Sequence, residues 1–221
     1  MADHLGLVTI EDPVSPISEA YRNLRTNLQF ASLDVELRTL LITSPGPGEG
    51  KSTTLANLAV TMAQVEQKVL LVDCDLRRPR LHDFFGLSNT NGLTTMMVDD
   101  QAMKAPPLQD TSVQGLRLLA SGSLPPRPSD LLGSKRMERI IERLLEEADV
   151  LLFDAPPIMA ATDAIILATK VNGLLLVISA GKTKREHAQL AIERLNKVKA
   201  HIVGTVLNNA PLDITLRNYY K

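Results

Sequence analysis

Three short stretches carry residue types whose spacing could do chemistry together. In "GPGEGKST", residues 46–53, Gly46, Gly48 and Gly50 alternate with Pro47 and Glu49 and lead into Lys51, Ser52 and Thr53. Glycines let a backbone turn its amides inward, the lysine adds a point charge, and the serine hydroxyl suits Mg²⁺. Such a turn cradles phosphate, and a helix starting there adds its positive end. In "LLVDCDLRRPR", residues 70–80, an apolar run ends in Asp73 and Asp75, followed by Arg77, Arg78 and Arg80. Alternate residues of a strand share a face, so the two carboxylates leave the strand on one side. They repel each other unless a cation or a shared proton lies between them. In "DVLLFD", residues 149–154, a third apolar run closes on Asp154, placed to hold the water shell of a metal ion. The combined chemistry is a nucleoside triphosphate with Mg²⁺, its charge shared among carboxylates, lysine and arginine.

The elements that must position these groups are legible as alternating patterns. Short apolar runs occupy residues 39–43, 68–73, 115–121, 149–154, 173–179 and 201–208. Helical patterns fall between them: Met137, Ile140, Ile141, Leu144 and Leu145 form one stripe, and a later helix opens with Thr183 and Glu186 at capping-box spacing. Strands apolar throughout and alternating with helices indicate a mostly parallel sheet covered on both faces. In such a sheet ligands lie beyond the carboxyl ends of the strands, where Asp73, Asp75 and Asp154 all fall. Ahead of the first strand, Ser15 and Pro16 cap a helix whose apolar face is Ile17, Tyr21, Leu24 and Leu28. The expectation is one α/β domain over 1–221, P-loop NTPase-like, with an N-terminal helical arm at 1–36 and a tail at 212–221.

Bulk properties set outer bounds. A chain of 221 residues has room for a full core, and its net charge of −1 gives no general reason to expect nucleic acid as a partner. The single cysteine, Cys74, rules out an internal disulfide framework; lying between the two aspartates, it points to the opposite face and reads as core. No segment approaches the ~18 unbroken apolar residues of a membrane span. A soluble, cytoplasmic protein is expected.

With these motifs in order, the sequence resembles the bacterial tyrosine kinases of the P-loop type. Their Walker A loop, Walker A′ strand with Asp-x-Asp-x-Arg and Walker B strand appear as "GPGEGKST", "LLVDCDLR" and "LLFDAPP". Their Glu-x-x-Arg-x-x-Arg helix is matched by Glu19, Arg22 and Arg25 in "EAYRNLR". The resemblance covers nearly the whole chain from about residue 8. It implies ATP-driven phosphorylation of tyrosines near the C-terminus of a neighbouring subunit, here Tyr219 and Tyr220. It implies a ring homo-oligomer, often an octamer, joined through Glu19, Arg22 and Arg25. It also implies control of capsule or exopolysaccharide synthesis with a transmembrane chain-length regulator, a cognate tyrosine phosphatase, and recruitment to the inner face of the membrane. Carried over by residue, Lys51 holds the phosphates; Ser52, Asp75 and Asp154 surround Mg²⁺; Asp73 accepts or orients the tyrosine proton; Arg77 braces the phosphate side. Asn208, after the last strand, is a candidate contact for the base.

One departure is from the strict P-loop pattern and one from the family's. The strict loop pattern wants glycine where Pro45 stands, and the chain ends "RNYYK" with two tyrosines where the family has a larger cluster. The chain fits either a free-standing kinase with a separate membrane adaptor or the cytoplasmic half of a fused protein. A competing reading is an ATPase switch of the partitioning or division-site type. That group carries a signature lysine at the position of Gly46, and it lacks the paired Asp-x-Asp-x-Arg. A third is a purely structural ATP-binding ring.

Overall fold

The computed structural model describes residues 7–31 and 36–211. Tyr219 and Tyr220 lie outside the described residues. Seven strands form one sheet: β1 (Thr39–Thr43), β2 (Val69–Asp73), β3 (Gln109–Asp110), β4 (Leu116–Leu119), β5 (Val150–Asp154), β6 (Gly173–Ser179) and β7 (Ile202–Asn208). Their spatial order is β3-β4-β2-β5-β1-β6-β7, and every pairing is parallel except the short β3 against β4. The six apolar runs account for the six parallel strands. The antiparallel β3 has only two residues, half-buried Gln109 and exposed Asp110, and so carries no apolar signal.

Period-two alternation sends each strand's residues into two separate cores. Leu41, Leu70, Val72, Leu151, Phe153, Leu174 and Leu176 face one side with Cys74, meeting α5 (Leu93–Val98), α6 (Asp100–Lys104), α7 (Pro128–Gly133), α8 (Lys135–Leu144), α9 (Asp163–Ala168) and α10 (Arg185–Lys197). Leu40, Ile42, Val69, Leu71, Val150, Leu152, Leu175 and Val177 face the other, meeting Leu55 and Leu58 of α3 (Lys51–Ala63). Burial of each such leucine contributes about 1.5–3 kcal/mol. The stripe Met137, Ile140, Ile141 and Leu144 is buried as its spacing predicts, and the Ser134 hydroxyl caps α8 by accepting from the Met137 amide at 3.3 Å. The capping box expected at Thr183 and Glu186 is absent. The N-cap of α10 is Lys184, without a side-chain cap bond, because the Thr183 hydroxyl is engaged elsewhere.

The N-terminal segment lies along α3. It comprises α1 (Val8–Glu11) and α2 (Pro16–Ala31), with the Ser15 hydroxyl accepting from the Ser18 amide as the cap requires. Leu28 is buried and Leu24 packs against the α3-side core, whereas Ile17 is 46 % exposed. Polar contacts fix the segment in place. The Thr9 amide and hydroxyl both donate to Asn57 Oδ1, at 3.1 and 2.9 Å. No helix among the described residues is long and apolar enough to cross a membrane.

Candidate active site

The carboxyl ends of β1, β2 and β5 converge because they are neighbours in the sheet, with Asp73 paired in register to Asp154. From β1 the chain enters residues 44–50, where Gly48 (φ +68°) and Gly50 (φ +92°) take left-handed conformations that side-chain-bearing residues resist. Helix α3 then starts at Lys51. The Lys51 Nζ lies 3.0 Å from Asp75 Oδ2 and 3.1 and 3.2 Å from the two oxygens of Asp154, while the Ser52 hydroxyl donates to Asp154. Burial disfavours the ammonium, but Asp154 and Asp75 outweigh it and hold the Lys51 pKa above the ordinary lysine value. Asp154 is fully buried, and burial raises its pKa despite the opposing pull of Lys51 and Ser52. Lysine therefore acts as the cation that lets two carboxylates share this space.

Asp73 is 0 % exposed and is not an open carboxylate. Its Oδ1 accepts from the Asp75 amide at 3.2 Å, and its Oδ2 from the Arg80 and Leu81 amides at 3.1 and 3.0 Å. It thus organises the turn into α4 (Leu81–Phe85). Burial, reinforced by Asp154, pushes its pKa up to about 8, against the pull of the Leu81 amide. Cys74 points into the opposite core, where burial holds the thiol well above its usual range and inert.

Arg77, expected to brace phosphate, is engaged within the fold. Its Nε and Nη2 donate to the two oxygens of Asp163, at 2.8 and 3.1 Å, and Asp163 is wholly buried at the start of α9. A buried carboxylate needs a cation, and Arg77 supplies it, with the Ser129 hydroxyl donating to the same carboxyl at 2.6 Å. Arg25 is likewise engaged within its own chain: its Nη1 donates to the Thr61 carbonyl in the last turn of α3 at 2.6 Å. Arg22 pairs with Glu19 at 2.6 Å on the half-exposed side of α2 and also donates to the Pro13 carbonyl.

Two side chains that hold the loop, those of Lys182 and Thr183, escaped the sequence reading, and Glu49, already read as part of the loop, links them to it. Glu49 is buried and accepts from the Gly46 amide at 2.8 Å, and the Thr183 hydroxyl donates to its other oxygen at 2.6 Å. Lys182 Nζ donates to the Gly48 carbonyl at 2.7 Å. The only sequence signal was the "GKT" that follows β6. Asn208 does reach the loop, donating from Nδ2 to the Glu49 carbonyl at 3.0 Å.

Among the described residues no three carboxylate, imidazole or thiol groups converge to hold a metal unaided. Mg²⁺ does not require that, since it commonly takes one or two carboxylates together with phosphate oxygens and water. Ser52, Asp75 and Asp154 present hard oxygen donors around one point already occupied by a cation, Lys51 Nζ, so the donor set fits Mg²⁺.

A parallel sheet with a glycine-rich phosphate loop after β1 and acids ending its neighbours defines a P-loop NTPase. Consistent with this, the family model described as ParA, NUBPL iron-transfer P-loop NTPase, matches residues 37–214. The tyrosine-protein kinase YwqD of Bacillus subtilis is 44% identical over 207 residues, 94% of this chain and 87% of the relative. Among solved structures, the chimerical protein CapA2B2 superposes with a TM-score of 0.87 at 34% identity, covering 94% of this chain and 91% of that one. The kinase domain of Escherichia coli tyrosine kinase ETK gives 0.84 at 31%, covering 94% and 82%. The chain belongs to the bacterial tyrosine-protein kinases, within the ParA-like P-loop fold.

Proposed function

We propose that this kinase transfers the γ-phosphoryl group of Mg-ATP to Tyr219 and Tyr220 of a neighbouring copy within a ring homo-oligomer. In this reading it acts in capsule or exopolysaccharide synthesis beside a transmembrane chain-length regulator and a cognate phosphatase, at the inner face of the membrane. The observation that carries the chemistry is the convergence of Lys51, Ser52, Asp75 and Asp154 at the mouth of the phosphate loop. Mg²⁺, when bound, neutralises charge on the transferring phosphate. Ser52, Asp75 and Asp154 would hold it, leaving Lys51 to turn from the acids toward the phosphates. Residues 46–53 surround the phosphates, and Asn208 borders the nucleoside side. A phenol with a pKa near 10 is a poor nucleophile at neutral pH, so a carboxylate beside it helps the attack. Asp73, in register with Asp154 at the strand ends, is the carboxyl assigned to orient the tyrosine hydroxyl; with its pKa pushed up to about 8 it would accept the proton only as the pH approaches that value. At the subunit boundary, Glu19 and Arg22 are the available charged pair. Arg25 ties the same helix to α3 through the Thr61 carbonyl.

The test mixes two full-length chains, Lys51→Met with its tyrosines intact and an active chain carrying Tyr219→Phe and Tyr220→Phe. Incubation with Mg-ATP should place phosphate on Tyr219 and Tyr220 of the Lys51→Met chain, mapped by mass spectrometry. Phosphotyrosine absent from that chain, while wild-type protein modifies itself, would refute transfer between neighbours.

A further inference from the structure

The loop between β6 and α10 grips the phosphate loop with two adjacent side chains. It turns tightly at Gly181 (φ +71°), with the Lys182 amide donating to the Ser179 carbonyl at 3.1 Å. From that turn Lys182 Nζ donates to the Gly48 carbonyl at 2.7 Å, and the Thr183 hydroxyl donates to Glu49 Oε1. The end of the adjoining strand contributes Asn208, which donates to the next carbonyl along, that of Glu49. Two consecutive loop carbonyls are therefore drawn toward β6 and β7.

The peptides here are trans, so within each planar unit the N–H points opposite to the C=O. Drawing the Gly48 carbonyl toward Lys182 sends the Glu49 N–H the other way, and drawing the Glu49 carbonyl toward Asn208 does the same for the Gly50 N–H. In the sheet β6 and β7 lie on one side of β1, and β5 and β2, whose ends lead to Asp154 and Asp75, lie on the other, so the other way is toward those acids and the Lys51 ammonium between them. The Gly46 amide is already committed to the Glu49 carboxylate, so the cradle relies on the amides that follow it. Space is tight as well: a Cβ on Gly48 would sit 2.7 Å from Lys182 Nζ, and one on Gly50 would sit 1.9 Å from Asn208 Nδ2.

We propose that Lys182 is a positioning residue of the phosphate loop, holding the Gly48–Glu49 peptide so that the Glu49 N–H faces the bound anion. This rests on the nucleotide-binding reading above. A charged donor supplied from outside the loop preorganises an amide that would otherwise have to turn when phosphate arrives.

The experiment compares wild type, Lys182→Met, which keeps the alkyl stem without the donor, and Lys182→Arg, which restores a donor. Lys182 is exposed, so both variants should fold. In the ligand-free proteins the Glu49 amide resonance in ¹H–¹⁵N spectra should move in Lys182→Met and return in Lys182→Arg. Calorimetry with tripolyphosphate should show binding about tenfold weaker in Lys182→Met, the scale of one charge-assisted hydrogen bond, with recovery in Lys182→Arg. In kinase assays the loss should fall on KM for ATP rather than on kcat. A tripolyphosphate loss with an unmoved Glu49 amide would mean direct contact of ammonium with phosphate and would overturn the proposal. So would a loss confined to ATP, which would mark a nucleoside contact. A wild-type chain binding neither ligand would overturn the nucleotide reading itself, and the Glu49 resonance of the ligand-free protein would still decide the peptide's orientation.

Discussion

Replacing Lys51 with methionine should do more than remove a phosphate contact. The Lys51 side chain is 12 % exposed, Asp75 6 % and Asp154 1 %, so the substitution strands two carboxylates in a poorly solvated space. Removing one partner of a buried ion pair typically costs about 3–5 kcal/mol. Here Asp154 has an escape, because it can take up a proton. Asp154 already has a raised pKa with Lys51 present, and losing its cation raises it further. In the variant the folded state then holds a proton that the unfolded chain has released, so its stability falls as pH rises through the carboxyl range. Lys51 itself does not contribute to that slope. Its pKa is raised above 10.5 in the fold, so its contribution in the wild type is fully present below that value and is lost only in stronger alkali. Urea unfolding should therefore show Lys51→Met destabilised by about 3 kcal/mol at pH 8 and about 1 kcal/mol at pH 5.5, with Mg²⁺ recovering part of the pH 8 deficit. Phosphotyrosine formation should fall at least ~10²-fold in protein that remains folded. A deficit equal at the two pH values would refute the ion-pair reasoning, and normal phosphotyrosine in a folded variant would refute the role of Lys51 in transfer.

Three more outcomes follow from neighbouring contacts. With the Asp73 pKa raised to about 8, the folded protein keeps a proton that the unfolded chain loses near pH 4, so this residue lowers stability as pH rises from about 4 to 8. Asp73→Asn should flatten the stability–pH slope in urea titrations by up to about 1.4 kcal/mol per pH unit, and an unchanged slope would show Asp73 ionised throughout. Arg77→Ala should destabilise the fold by about 1–2 kcal/mol, a figure discounted for the half-exposed guanidinium, and leave ATP affinity within about twofold; a coupling energy near zero in a double-mutant cycle with Asp163→Asn would exclude the clasp. Arg25→Ala should lower thermal stability by about 1 kcal/mol through the lost Thr61 contact, whereas Arg22→Ala should leave it within about 0.5 kcal/mol and reduce particle mass in light scattering; the reverse pattern would reassign the two arginines.

The parts of the fold written in apolar periodicity were readable from sequence alone. The six parallel strands and the α8 stripe are examples, because burial on both sheet faces leaves no other use for runs such as "TLLIT" and "VLLFD". The phosphate loop and strand-end acids were readable because charge, glycine and strand end coincide within a few residues. What stayed hidden depended on partners distant in the chain. Arg77 looked free until Asp163 appeared 86 residues away, Arg25 until the Thr61 carbonyl appeared 36 away, and Lys182 until the Gly48 carbonyl appeared 134 away. Thr183 misled for a local reason: capping-box spacing is satisfied by pattern, but its hydroxyl donates to a buried carboxylate and already accepts from the Ser179 amide, so it is not free to accept from a helix-end amide.

The docking of the N-terminal segment on α3 bears on where this protein can be cut. The match to the wider ParA-like family begins at residue 37, yet Thr54, Asn57 and Thr61 of the phosphate helix are buried. Asn57 accepts from Thr9, and Thr61 offers its carbonyl to Arg25. A fragment starting at the first strand would carry these polar groups on a face shaped for helices it no longer has, beside the bared apolar contacts of Leu7 and Leu28. Residues 7–31 and the phosphate helix should thus exchange their amide hydrogens as one cooperative block, slow together and lost together. The smallest autonomous unit of this kinase begins before its family's shared core does.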